Sequence, residues 1–432
     1  MSTALFTDHY ELTMVDAARA SKRADRQAVF EVFSRSLPGR RPYGVVAGTG
    51  RLIEAIAQFR FHQNELEFLS RHCIVSDDTL EWLANYRFGG DITGYREGDI
   101  YFPGSPILQV EGTFAEAVLL ETLILSVLNY DCAVASAASR MVQAAGTRTL
   151  IEMGARRAHE SAAVAAARAA YLAGFAATSN LHAGERYDIP TRGTAAHSFT
   201  LVHDSEEEAF RAQIATMGPN TTLLIDTYDM REGVERAIAI AGTSLGAVRI
   251  DSGDLPVVVS QVRAHLDELG AQQTKIVVTN DLNEHTIAGL RGAPVDVFGV
   301  GTSVVTGSGY PAAGLVYKLV SRMDDNGQWL DVAKKSFHKT NPGGKKRAFR
   351  TFRKGRAHEE ILTVGQGNPP EGAGELSEHF MLGGISQSSL SPAETLARAR
   401  EHHLATIATL PDTAFSLSPG DPALTVRLVG GE

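Results

Sequence analysis

Between Thr221 and Val305, short apolar runs alternate with acid-and-glycine clusters and helix-like segments. Thr222-Leu223-Leu224-Ile225 ends in Asp226-Thr227-Tyr228-Asp229, and Gly246-Ala247-Val248-Arg249-Ile250 ends in Asp251-Ser252-Gly253-Asp254. Lys275-Ile276-Val277-Val278 ends in Thr279-Asn280-Asp281, and Val295-Asp296-Val297-Phe298 ends in Gly299-Val300-Gly301-Thr302-Ser303. Short apolar runs between helices predict parallel strands buried on both faces. In such sheets the C-terminal strand ends carry the chemistry. The acids and the glycine loop therefore fall where a site belongs.

The same α/β pattern opens earlier. Thr149-Leu150-Ile151-Glu152 reads as a strand, followed by Met153-Gly154-Ala155-Arg156-Arg157. An alanine-rich helix then runs to about Leu172, Gly174–Asn180 is a further strand end, and Glu206–Met217 is an amphipathic helix. The pattern before residue 115 is different. Leu5, Leu12, Met14 and Val15 line one face of a helix capped by Thr7 or Asp8. Residues 28–33 alternate as a half-buried antiparallel strand does. Helices are expected over Gly48–Phe59 and Gln63–His72, and short antiparallel strands over 88–114. Pro103-Gly104-Ser105-Pro106 is a turn. Ala115–Asn129 is an apolar helix leading into the core domain. The expected division is thus a first domain over 1–114 and a parallel α/β domain over 115–329. Beyond it lie a strand at Gly314–Val320, a glycine-rich loop at Gly365–Gly384 and a last helix at Leu396–Leu410.

A chain of 432 residues with 44% apolar and 21% charged positions has room for two domains and an ample core. Its formal net charge of −9 argues against a general nucleic-acid binder, so any anion site must be local. Cys73 and Cys132 match no metal spacing and suit a reducing cytoplasm. The N-terminal residues Asp8 and Glu11 do not fit a signal peptide. Glu160 and Arg168 argue against a membrane span over Ala158–Ala177.

Several basic clusters invite an anion. Arg35, Arg40 and Arg41 lie in a turn-rich piece that reads either as solvated surface or as a phosphate-binding loop. Arg156 and Arg157 either meet an anion or pair with Glu152 or Glu160. Lys339 and Lys345 lie in a basic hairpin-like stretch open to the same two readings. Gly299, Gly301, Thr302 and Ser303 can present backbone N–H groups to phosphate oxygens. Asp251, Asp254 and Asp281 can hold ribose hydroxyls, or Mg²⁺ through water. One such Asp is readily a helix cap, but successive acid-tipped strand ends are not explained by capping alone. His197, after Gly193-Thr194, is weak evidence by itself. These residues describe a phosphate-handling α/β enzyme.

Six motifs in order carry this further. They are Thr7-Asp8-His9-Tyr10-Glu11-Leu12-Thr13-Met14, Glu152-Met153-Gly154-Ala155-Arg156-Arg157-Ala158, Gly193-Thr194-Ala195-Ala196-His197-Ser198, Ile225-Asp226-Thr227-Tyr228-Asp229, Arg249-Ile250-Asp251-Ser252-Gly253-Asp254 and Phe298-Gly299-Val300-Gly301-Thr302. Over roughly residues 5–350 the chain resembles the nicotinate phosphoribosyltransferases. The resemblance implies an irregular (β/α) barrel beside an α+β domain built from both chain ends, completed by about 330–432, and a homodimer with shared sites. It implies ATP-coupled conversion of nicotinate and phosphoribosyl pyrophosphate to nicotinate mononucleotide and pyrophosphate, the first step of NAD salvage from nicotinate. ATP is the co-substrate, and Mg²⁺ the cofactor. By the resemblance His197 stands where the family's histidine is phosphorylated by ATP. The resemblance further implies that Tyr10 and Met153 meet the pyridine ring, that Arg156 and Arg249 hold the nicotinate carboxylate and nearby phosphate, and that Asp251 and Asp281 hold the ribose. Gly301 and Thr302 take the 5′-phosphate. Arg35, Arg40, Arg41, Lys339 and Lys345 are weaker candidates for phosphate contacts. Met153 departs from the family, where an aromatic residue is common, and the tail after about residue 370 matches no functional residue.

The nearest rival is a nicotinamide phosphoribosyltransferase, where an acid stands at the position of Ser179. A carboxylate there would repel nicotinate, so Ser179 favours the acid substrate. Quinolinate phosphoribosyltransferases lack the motif around His197. A non-catalytic phosphosugar-binding protein would not need His197 or the acids. A Schiff-base aldolase would need a lysine at a strand end, and neither Lys275 nor Lys318 is so placed.

Overall fold

The computed structural model describes residues 2–333, 342–365, 367 and 370–429. The chain divides into two compact units, one of residues 1–136 with 310–432 and one of residues 137–309. The first division therefore falls inside the helix Glu121–Ala145, later than the expected 114/115 boundary. The second falls before residue 315, so the strand Leu315–Met323 belongs to the first unit. The expected helix Ala115–Asn129 is in fact two, Phe114–Val118 and Glu121–Ala145. By length and composition Phe114–Ala145 would cross a membrane, but 67% of its most apolar window is buried inside the fold, as a core helix's is.

In the first unit the strand Gln27–Ser34 sits between Leu315–Met323 and Leu108–Thr113 in a seven-stranded sheet whose neighbours all pair antiparallel. All but the first of its residues are buried. The alternation that predicted a half-buried strand instead marks two covered faces. Phe30 stacks on Tyr317 with ring centroids 4.8 Å apart, while Glu31 on the opposite face meets Lys346 Nζ at 2.9 Å. Residues from both chain ends complete this unit, including the four-stranded sheet of Lys346–Arg353, Arg356–Val364, Gly374–Glu375 and Thr425–Val429. The N-terminal helix is His9–Ala20, capped by Asp8. Leu12 and Val15 are buried on it, but Leu5 lies outside it and is 44% exposed.

The second unit is built on six parallel strands. Their order is Ala177–Thr178, Thr149–Glu152, Val297–Val300, Lys275–Val278, Ala247–Ile250, Thr222–Leu224. The four runs that opened the sequence analysis are four of these strands. Val248, Ile250, Ile276, Val278, Phe298 and Val300 are each fully buried, as strands covered on both faces require. Among the described residues no pairing joins the two end strands, so the sheet is open in its hydrogen bonding. Because every neighbour runs parallel, all six C-terminal ends lie on one edge.

Candidate active site

That edge gathers most of the predicted site. Reading across the sheet, it carries Ser179, then Met153 and Arg156, then Gly301 and Thr302, then Asp281, Asp251 and Asp226. The glycine loop therefore lies in the middle of the row. Pairing of Val300 with Glu152 sets it beside the Met153 turn, and Met153 N donates to Val300 O at 2.8 Å. Two glycines are required for this approach. A Cβ on Gly154 would stand 2.3 Å from Val305 Cγ1, and one on Gly299 would stand 2.7 Å from both Met153 Sδ and Thr279 Cγ2. The Met153 thioether thus occupies the space that Gly299 leaves open.

The histidine enters from a helix start. His197 begins the short helix His197–Leu201. Its Nδ1 lies 3.1 Å from Thr227 Oγ1. Its Nε2 faces two carboxylates, Asp226 Oδ1 at 3.9 Å and Asp251 Oδ2 at 3.8 Å. Each acid is fixed through its other oxygen. Asp226 Oδ2 accepts from Asp251 N at 2.8 Å and Ser252 Oγ at 2.7 Å, and Asp251 Oδ1 accepts from Thr279 Oγ1 at 2.7 Å. Asp226 Oδ1 is buried without a hydrogen-bond partner. Such an oxygen is costly unless something arrives to meet it.

The cations are arranged alike. Arg249 Nη1 donates to Ala195 O at 3.0 Å, in the segment that leads to His197, and its buried Nε has no partner. Burial lowers the Arg249 pKa, opposed by Asp251 and Asp226 and assisted by Arg156. Arg156 is exposed and forms no ion pair among the described residues. The alternative pairing with Glu152 is not made. That carboxylate instead accepts from Thr178 Oγ1 and Gly154 N. Asp281 is exposed at a φ of +29°, a costly conformation for a residue with a side chain.

The acids separate into types. Asp229 caps the helix Met230–Ala241 by accepting from Glu232 N at 2.9 Å. Asp254 precedes the helix Leu255–Glu268 without a side-chain cap bond. Asp226, to which the sequence reading gave no role, proves to be one of the two carboxylates facing His197. Its place at the tip of an apolar run was the available signal. Thr227 and Thr279, also missed, are ordinary strand-end residues whose hydroxyls become informative only when the partners are in place.

Residues of the first unit have local explanations. In the N-terminal motif, Thr7 Oγ1 donates to Glu11, whose other oxygen accepts from Thr122 N at 3.0 Å and Thr122 Oγ1 at 2.5 Å. Tyr10 is left 44% exposed. Burial, then Glu121, Glu11 and Asp8, push its hydroxyl above the ordinary range. Arg35 is exposed. Arg40 meets Asp421 at 3.4 Å in an exposed pair. Arg41 is buried, with its guanidinium 5.5 Å from the Tyr310 ring, so it is a packed cation, unlike the solvated-loop reading. Lys345 is paired with Glu111. Lys339 lies outside the described residues.

The donor set suits Mg²⁺, because Asp226 Oδ1 and Asp251 Oδ2 are hard oxygens near one point. Among the described residues no group of three His, Cys, Asp or Glu stands ready to hold a metal. Water and substrate oxygens would therefore complete the coordination.

A parallel sheet with acids, arginines and a glycine loop along its C-terminal edge defines a phosphosugar-handling α/β protein. Its fold is that of human nicotinic acid phosphoribosyltransferase, which aligns at a TM-score of 0.80 and 25% identity over 98% of this chain and 97% of that one. A nicotinate-nucleotide pyrophosphorylase from Pyrococcus furiosus shares the fold at a TM-score of 0.76 and 21% identity, over 94% of this chain and 96% of that one. Residues 5–129 match the nicotinate phosphoribosyltransferase N-terminal domain, and residues 149–364 match the nicotinate phosphoribosyltransferase family. A nicotinate phosphoribosyltransferase of Mycobacterium tuberculosis is 52% identical over 98% of this chain and 95% of its own. One of Bacillus subtilis is 37% identical over 83% of this chain and 75% of its own. The chain belongs to the nicotinate phosphoribosyltransferase family.

Proposed function

We propose that the chain joins nicotinate to phosphoribosyl pyrophosphate, giving nicotinate mononucleotide and pyrophosphate, and couples this step of NAD salvage to ATP through phosphorylation of His197. The observation that carries the reading is the imidazole of His197, held through Nδ1 by Thr227 with Nε2 facing Asp226 and Asp251. With Nδ1 engaged, Nε2 is the nitrogen that accepts the γ-phosphoryl group of ATP as ADP departs. The phosphoryl group adds negative charge beside the diphosphate site and alters substrate affinity. Mg²⁺, when bound at Asp226 and Asp251 through water, supplies positive charge against the phosphates.

In the transfer itself, the bond from ribose C1 to pyrophosphate breaks and the bond from C1 to the pyridine nitrogen forms. Positive charge develops on the ribose, and negative charge leaves with pyrophosphate, so positioning and electrostatics do the work. Asp251 and Asp281 hold the ribose, and Gly301 and Thr302 its 5′-phosphate. Arg156 and Arg249 hold the nicotinate carboxylate and nearby phosphate. Met153 lies against one ring face, where a thioether is a serviceable contact, and Tyr10 serves another. Ser179 leaves the pocket without the acid that would repel nicotinate. Arg35, Arg40, Arg41, Lys339 and Lys345 are weaker phosphate contacts, and Lys345 is the weakest of the described ones because Glu111 already holds it. The working form is a cytoplasmic homodimer with shared active sites.

Product formation from phosphoribosyl pyrophosphate with nicotinate or nicotinamide, with and without ATP, tests this reading on the native chain and on His197→Ala. Preference for nicotinate, ATP stimulation, and loss of that stimulation in the variant are expected. Preference for nicotinamide would overturn the role of Ser179. Absence of product with either base would overturn the enzyme reading.

A further inference from the structure

Glu152 is a buried carboxylate that the reaction above does not use. It is 1% exposed, and no cation pairs with it among the described residues. Burial raises its pKa against the opposing pull of Thr178 and Gly154. An acid kept in such a place costs free energy unless its oxygens are well used. Both are. Oε1 accepts from Gly154 N and Oε2 from Thr178 Oγ1, each at 2.5 Å. Thr178 Oγ1 in turn accepts from Asn180 N at 3.0 Å, and the Glu152 carbonyl accepts from Ser179 N at 2.8 Å.

The partners of this carboxylate lie in two separate segments, which its side chain ties together. Ala177–Thr178 is a two-residue strand, paired on one side through Ile151 with Ala177 and Glu152 with Thr178, and bridged on the other by Thr178 with Thr191. Ser179 follows it directly. On the other side, Gly154 begins the turn between Met153 and Arg156. We infer that Glu152 is a positioning residue that braces the Ser179 wall against the Met153–Arg156 wall, and so sets the affinity for nicotinate and its selection over nicotinamide. The inference rests on the proposed placement of the pyridine ring between these walls. A carboxylate suits the task because it accepts from two donors at once, with no hydrogen of its own to place.

Thr178→Val separates this brace from the rest of the site. It removes the hydroxyl but keeps the β-branched shape and leaves Glu152 on the Gly154 turn. The expected result is a rise of about tenfold in KM for nicotinate, on the scale of the lost Thr178 Oγ1 hydrogen bonds to Glu152 and Asn180 N. The KM for phosphoribosyl pyrophosphate and kcat at saturating nicotinate should stay within about twofold, and the preference over nicotinamide should shrink. Glu152→Ala should raise the nicotinate KM further, and adding Thr178→Val to it should change little more, because the two act through one bond. Glu152→Gln keeps the shape and should recover most of the loss, with the Thr178 hydroxyl turned to accept from the amide. Thermal denaturation of each variant separates a stability loss from a pocket change. An unmoved nicotinate KM in Thr178→Val, or equal rises for both substrates, would overturn the brace while leaving the enzyme reading standing. No product from nicotinate in the native chain would instead overturn the reading on which the inference rests.

Discussion

Two charged clusters, one in each unit, share the same residue types and treat them oppositely. In the first unit Arg350 donates to Asp99 Oδ1 and Ile100 O, both at 2.6 Å, and to Glu360 Oε2 at 3.2 Å. Glu360 Oε1 accepts from Tyr95 at 2.6 Å and from Ser105. Asp99 Oδ2 meets His402 Nε2 at 3.3 Å. One atom, Arg350 Nε, is left over. In the second unit Asp226 Oδ1 and Arg249 Nε are buried without partners, and the Nε2 of His197 stands between acids at more than hydrogen-bond distance. The first cluster meets every carboxylate oxygen and all but one of its donors between strands and a helix, which is what architecture needs. The second holds each group by one atom and leaves another open, which is what a ligand needs. A buried charge is therefore informative through its unmet valences rather than through its burial.

The widest gap between the two should appear in stability. Arg350→Met leaves Asp99 and Glu360 buried without their cation, at a cost of about 3–5 kcal/mol. Denaturant unfolding should show that loss, while activity per folded molecule is retained.

The same unit should also respond to acid. Burial, as the larger influence, holds His403 down to about 4, although its bond to Gly98 opposes this. The unfolded chain takes up that proton near 6.5 and the folded chain only near 4, so the unfolded state binds more protons between these values. The stability contributed by neutral His403 is thus fully present above about 6.5 and is lost as pH falls toward 4, by roughly 3 kcal/mol. Melting curves between pH 7 and 4 should show the decline, and His403→Gln should flatten it.

In the second unit the same kind of change should spare the fold. Asp226→Asn keeps an acceptor for Asp251 N and Ser252 Oγ but removes the charge facing His197. ATP-stimulated turnover should fall about a hundredfold with the melting temperature nearly unchanged. Equal stability losses at Asp226 and Arg350 would erase the distinction drawn between the clusters.

The smallest effect belongs to Ser308→Ala. Ser308 Oγ donates to Glu284 Oε2 at 2.6 Å, and Glu284 meets Arg140 at 3.4 Å, which ties the segment after Thr302 to the helix that follows Asp281. Losing this bond should cost about 1 kcal/mol and raise the KM for phosphoribosyl pyrophosphate a fewfold, leaving that for nicotinate alone.

The sequence by itself determined the repeating strands, the helices between them and the acid or glycine at each strand tip. Short apolar runs that alternate with helices bury both faces as parallel strands covered by those helices. The ordered motifs also determined the family. Tertiary structure alone decided which tips are neighbours, because strand order is set by crossover packing and not by chain order. It placed Thr149–Glu152 beside Val297–Val300, across most of the unit's length in sequence. It also decided which acids cap helices and which face His197. Asp229 and Asp226 stand three residues apart at one strand end, yet one is consumed by a helix N-terminus and the other aims an oxygen at an imidazole. Spacing could not tell them apart, because the difference lies in the direction of a side chain, and that direction depends on neighbours contributed by other strands.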